Sequence, residues 1–136
     1  FLHLPDPSDG PVVVVMVFEI EQENRRRFLD LMREMRLIYL RNGAFSWRLD
    51  EDLEKPNRFR MEMMVSSWSE HLEQHKRMTK NELAVWRRTW SLHTSASDGP
   101  LVKHYLSVHR ELMTRRLNST NLETPEDEVS QAGYSV

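Results

Sequence analysis

Ten residues, Pro11 to Ile20 (PVVVVMVFEI), constrain this chain more than any other stretch. They are β-branched and bounded by turn residues, which predicts a strand. Side chains alternate between the two faces of a strand. Val12, Val14, Met16, Phe18 and Ile20 fall on one face; Val13, Val15 and Val17 fall on the other, which turns polar only at Glu19. A strand apolar on both faces has to be covered on both. Helices can cover one, and a second subunit is a natural cover for the other.

The rest of the chain supplies those helices. Glu21 to Arg41 carries Phe28, Leu31, Met32, Met35, Ile38 and Tyr39 at helical spacing, and Asn42-Gly43 ends it. Ala44 to Asp50 alternates Phe45, Trp47 and Leu49 with polar residues, and Arg58 to Ser66 alternates Phe59, Met61, Met63 and Val65 with Arg60, Glu62 and Met64. These two strands, joined by a polar turn region containing Pro56, predict a hairpin. Ser67-x-x-Glu70 and Thr79-x-x-Glu82 both fit the capping-box pattern. They predict consecutive helices over about 68–78 and 80–93. Leu101 to Val108 is a last strand, followed by a short helix over about 109–117.

The order strand, helix, strand, strand, helix, strand is the split βαβ arrangement, a ferredoxin-like α+β fold with an antiparallel sheet and its second helix divided in two. Helices pack on one face of such a sheet. Trp47, Phe45, Met61, Met63 and the doubly apolar first strand exceed what two helices can cover, so a homodimer through the open sheet faces is expected. Residues 1–10 read as an extended linker, since Pro5 and Pro7 oppose helix. Residues 11–117 form the domain. Residues 118–136, rich in Ser, Thr, Asn and Glu, read as a disordered or loosely packed tail.

Composition removes several functions. The 136 residues include no Cys, which excludes a disulfide scaffold, a thiolate zinc site, an iron–sulfur cluster and cysteine catalysis. A net charge of −2 gives no electrostatic reason to expect nucleic acid. No run approaches the roughly 18 apolar residues of a membrane span, and no secretory signal is visible. The chain begins with Phe1, which suggests that it is either processed or a piece cut from a longer protein.

Three constellations could carry chemistry. His71 and His75 stand four apart on one helix face, a spacing that can share a metal. Leu72 occupies the place where a zincin has its glutamate, and a third ligand would have to be Glu62 or His104, so a solvated or interface pair is the favoured reading. Glu62 is a mid-strand carboxylate; it is a raised-pKa base if it faces an apolar cavity, and a cross-strand ion-pair partner of Arg48 or Arg60 if it faces solvent. Trp68, Trp86 and Trp90 at helical spacing are core residues first and pocket walls second. The run Arg25-Arg26-Arg27 opposes the helix dipole; an anionic lipid surface could explain it, but a solvated face is favoured.

Several motifs recur together: Gly10-Pro11 before the valine-rich strand, Gly43-Ala44-x-x-Trp47, Glu62, Ser67-Trp68-x-Glu70-His71-Leu72-x-Gln74-His75-x-Arg77-x-Thr79, and Gly99-Pro100 before a strand with His104. Over about residues 10–108 the sequence resembles the soluble C-terminal domain of bacterial major facilitator permeases of the transmembrane secretion effector family, which includes enterobactin-type exporters. The resemblance implies a dimeric α+β barrel on the cytoplasmic side of the inner membrane, attached to the membrane-embedded part of the same protein. The same barrel serves small antibiotic-biosynthesis-type monooxygenases. No catalytic residues carry over from the resemblance. Glu62, Trp68, His71 and His75, which match the pattern, and Trp47 are the candidate lining of a small-molecule site; no cofactor or bound metal is implied. The expected function is regulation or dimerisation of an exporter without catalysis. The alternative is a stand-alone monooxygenase-like or ligand-binding dimer in which Glu62, His71 or His75 deprotonates the substrate.

Overall fold

The computed structural model describes residues 2–94 and 99–114. Their order is β1 (Val12–Glu19), a 3-10 turn (Gln22–Asn24), α1 (Arg25–Arg41), β2 (Ser46–Glu51), β3 (Arg58–Val65), α2 (Trp68–Arg77), α3 (Lys80–Ser91), β4 (Leu101–Leu106) and α4 (His109–Met113). The four strands form one sheet in the order β2-β3-β1-β4, with every neighbouring pair antiparallel. This is the ferredoxin-like α+β arrangement expected from the element order. The tail at 118–136 and the loop residues 95–98 lie outside the described residues. Among the described residues, no helix is long and apolar enough to cross a membrane.

The valine strand lies inside the sheet, between β3 and β4, and carries apolar side chains on both faces. Val12, Val14, Met16 and Phe18 are buried against α1, together with Phe59, Met61, Met63 and Val65 of β3 and Phe28, Met32 and Met35 of α1. The opposite face carries Val13, Val15 and Val17, with Met64, Glu62 and Arg60 across on β3 and Tyr105, Lys103 and Leu101 across on β4. No helix covers it. Leu101 and Tyr105 are half exposed there.

Element ends depart from expectation in instructive ways. The first helix begins with a separate 3-10 turn, and Arg25, the first residue of α1, forms a bidentate pair with Glu51 and a hydrogen bond to Asn57 Oδ1 of 2.8 Å. Its guanidinium also lies over the Phe59 ring. Part of the basic run is thus committed to pinning the β2–β3 hairpin. Strand β2 starts two residues later than predicted because Ala44 N–H is taken by Tyr39 C=O at 3.0 Å, closing the end of α1. Only the second capping box is complete: Thr79 and Glu82 bond reciprocally. In the first, Ser67 Oγ accepts Glu70 N–H at 3.1 Å, but the Glu70 carboxylate turns away to Arg77.

Candidate functional site

Helices α1, α2 and α3 do not close completely on the sheet. They leave a cavity of about 290 Å³, at the small end of ordinary ligand pockets. Its floor is Val14 and Met16 of β1, Met63 of β3, and Val102 and His104 of β4. Its roof is Ile38, Tyr39 and Asn42 of α1, His71, Gln74 and His75 of α2, and Leu83, Trp86 and Trp90 of α3, with Met78 at the corner between the last two helices. A wider recess of about 870 Å³ lies on the open sheet face among paired charges such as Asp50, Arg58 and Arg60. The smaller cavity is the better candidate, because it is mostly apolar and gathers a few convergent polar groups.

Those groups are histidines. His71 is 5% exposed. Its ring lies 5.0 Å from that of His104 and 5.1 Å from that of His75, centre to centre, and 5.3 Å from that of Trp68. His71 Nδ1 stands 3.3 Å from Oε1 of the equally buried Gln74, whose Nε2 reaches Met63 Sδ at 3.8 Å. With an amide oxygen as partner, Nδ1 carries the proton and Nε2 keeps its lone pair. Burial lowers the His71 pKa to about 4; the Gln74 bond opposes this, and His104 and His75 reinforce it. Burial, with help from His75, also lowers that of His104. Among the described residues, no carboxylate lines the cavity. At neutral pH His71 and His104 are therefore uncharged, polar and able to accept a proton or a hydrogen bond.

The opposite wall is aromatic. Trp86 and Trp90 stack at 4.5 Å with their planes 20° apart, and Phe18 meets Trp90 edge-on. Tyr39 is buried, which raises its phenol to about 12, while a hydrogen bond from Trp86 works the other way. Gly99 holds φ +130°, and a Cβ there would fall 2.8 Å from Trp90 ring carbons, so the turn into β4 rests directly on the indole.

The sequence-predicted residues divide. His71 and His75 line the cavity, with His75 exposed at its edge. Trp68 packs edge-on to His104 at 6.0 Å and forms the wall behind it. Trp47 faces the same side of the sheet beside Met63, but it packs into the core without lining the cavity, and its buried Nε1 has no hydrogen-bond partner. Glu62 does not join the histidines. Strand alternation places it on the open face, opposite Val15 and Arg48, where it pairs with Arg60 at 2.9 Å. Gln74 and Tyr39 also line the cavity without being among the sequence-predicted site residues; Gln74, part of the motif run, stands three residues after His71, which puts it on the same helix face. Among the described residues, no group of three or more His, Asp or Glu is arranged to hold a metal ion.

Solved structures share this architecture. A proposed antibiotic biosynthesis monooxygenase from Caulobacter crescentus is 13% identical with a TM-score of 0.63, covering 74% of this chain and 92% of its own. SnoaB, a cofactor-independent oxygenase from Streptomyces nogalater, is 12% identical with a TM-score of 0.60, covering 79% and 96%. A similar protein from Nitrosomonas europaea is 14% identical at 0.61, covering 74% and 93%. At these identities the likeness is one of fold. Among curated proteins, none matches the sequence. In sequence, residues 3–112 match the family described as transmembrane secretion effector, and the chain belongs to that family.

Proposed function

We propose that this chain is the regulatory domain of a small-molecule exporter, acting from the cytoplasmic side of the inner membrane as a homodimer and binding a flat, largely apolar molecule between its helices and sheet. The observation that carries this reading is the cavity itself: a stacked tryptophan pair on one wall, uncharged His71 and His104 on another, and no carboxylate among the described residues. Stacking surfaces favour planar ligands, and neutral imidazoles accept a hydroxyl hydrogen bond without demanding a charge. The uncovered apolar sheet face supports pairing of two copies, and occupancy that favours one pairing geometry would shift the exporter's equilibrium. Family membership supports the transporter connection.

Calorimetric titration with 1-naphthol as a probe tests the site. Binding is expected to weaken at least tenfold in Trp86→Ala and to stay within twofold in Glu62→Ala, because Glu62 lies on the other face. No binding by any two-ring aromatic probe would refute it.

One observation favours a second reading. His71 lines a mostly apolar cavity with its Nδ1 committed to Gln74, and the free Nε2 could take a hydroxyl proton from a bound quinol, whose anion passes electrons to O₂ as oxidant and oxygen source. Oxygen consumption with naphthohydroquinone that is lost in His71→Ala would support this reading; no consumption by the wild-type chain would leave the regulatory reading standing.

A further inference from the structure

The segment ahead of β1 is built onto the domain. Asp6 and Asp9 close a tight loop on each other, Asp9 N–H to Asp6 C=O at 3.0 Å and Asp6 N–H to Asp9 Oδ2 at 2.9 Å. From that loop, Asp9 C=O accepts the Trp68 N–H at 2.7 Å and Pro7 C=O accepts the Ser69 N–H at 2.9 Å. The first N–H groups of a helix have no partner within it. In α2 two of them are held by the lead-in segment, and the next, from Glu70, by Ser67 Oγ. Gly10 makes the approach close enough: a Cβ there would lie 2.8 Å from the Ser66 carbonyl carbon and from Ser67 Cα, and nearer still to Ser66 O, with backbone in the way each time.

The same turn of α2 carries the site. Trp68, whose N–H bonds Asp9, packs its ring on both His71 and His104. Trp68 and His104 also line a second cavity of about 440 Å³, which the lead-in residues His3, Leu4 and Pro5 cover from the other side. His104 faces both cavities. One partition, Trp68 with His104, therefore separates the histidine cavity from the lead-in segment, and one helical turn serves both.

We infer that docking of residues 2–10 on the first turn of α2 and occupancy of the histidine cavity are thermodynamically linked: a molecule in the cavity holds the segment down, and release of the segment weakens its binding. This rests on the cavity being a ligand site. Undocking strips the Trp68 and Ser69 amides of their acceptors and frays the first turn, which moves the rings of Trp68 and His71 away from His104. Linkage of this kind is reciprocal, so the factor lost in affinity equals the factor gained in opening.

The test uses the full 136-residue chain, the Gly10→Ala variant and 1-naphthol. In Gly10→Ala, exchange of the Trp68 and Ser69 amides is expected to rise at least tenfold while the β1–β3 amides stay protected, and 1-naphthol binding is expected to weaken at least fivefold. In the wild type, saturating 1-naphthol should slow exchange of those two amides by a comparable factor. Deprotected amides with unchanged affinity would overturn the inference. If 1-naphthol fails to bind the wild type, the ligand reading fails, and the coupling is read instead from the His71 ring by NMR titration. A His71 midpoint that stays low when the amides are deprotected overturns the inference; a midpoint that rises towards the ordinary value upholds the mechanical link. Asp9→Ala removes the carboxylate that closes the lead-in loop on the Asp6 N–H and loosens the segment without crowding Gly10; it should raise exchange of the Trp68 and Ser69 amides and weaken binding in the same direction if Gly10→Ala does not fold.

Discussion

His71 is where a single residue matters most. Its folded pKa of about 4 lies below the ordinary 6.5, and burial is the principal cause. Between those values the unfolded chain holds the proton that the folded one excludes. Stability is therefore complete above pH 6.5 and falls as pH drops towards 4. From pH 7 to 5 this one group accounts for a loss of at most about 2 kcal/mol; His104 and His93, also lowered mainly by burial, act in the same direction. Urea unfolding at the two pH values checks this, and His71→Leu should flatten much of the slope. The residue types at this site were legible in the sequence, but their company was not. Glu62 matches the same motif run, yet strand period two puts it on the far face from Met63 and so from the histidines. His104 could be suspected only as a third partner, because nothing local to β4 announces that Val14 brings it beneath α2.

At the scale of elements, the corner between α2 and α3 decides the shape of the site. Thr79 and Glu82 hold each other's backbone donors at the start of α3. Thr79→Ala is expected to cost about 1 kcal/mol, read as a lower urea midpoint with an unchanged slope. This boundary was readable from Thr79-x-x-Glu82 because capping is local chemistry. The incomplete box at Ser67 was not, because Glu70 is drawn off by Arg77, whose guanidinium also donates to Asn42 C=O at 2.8 Å at the end of α1. The capping rule fails there because a guanidinium two turns along the same helix draws Glu70 away from its own cap. The strands were legible to within two residues, and both faces of β1 were assigned from alternation alone.

For the whole molecule, the open sheet face sets how copies of the chain can meet. Val15 is 6% exposed even without a partner, shielded in the row that runs Arg48, Glu62, Val15, Lys103, while Tyr105 at 50% and Leu101 at 55% stand out beside it. If two copies close over this face, Val15→Glu places a carboxylate beside Glu62 in both. Sedimentation velocity is expected to show a dimer for the wild type and a monomer for the variant; a monomeric wild type would refute the pairing.

The break at Met78–Thr79 has a bearing beyond stability. A single straight helix laid across this sheet would seal it along its length; two short ones meeting at an angle leave a gap under the bend, and Met78 and Leu83 stand at its rim. The sheet and α1 supply the floor and part of the roof of that gap, but the bend at Met78–Thr79 belongs to neither. Changes confined to the elbow can thus resize what the chain admits while its scaffold stays constant, so selectivity is open to change in small steps that leave folding intact.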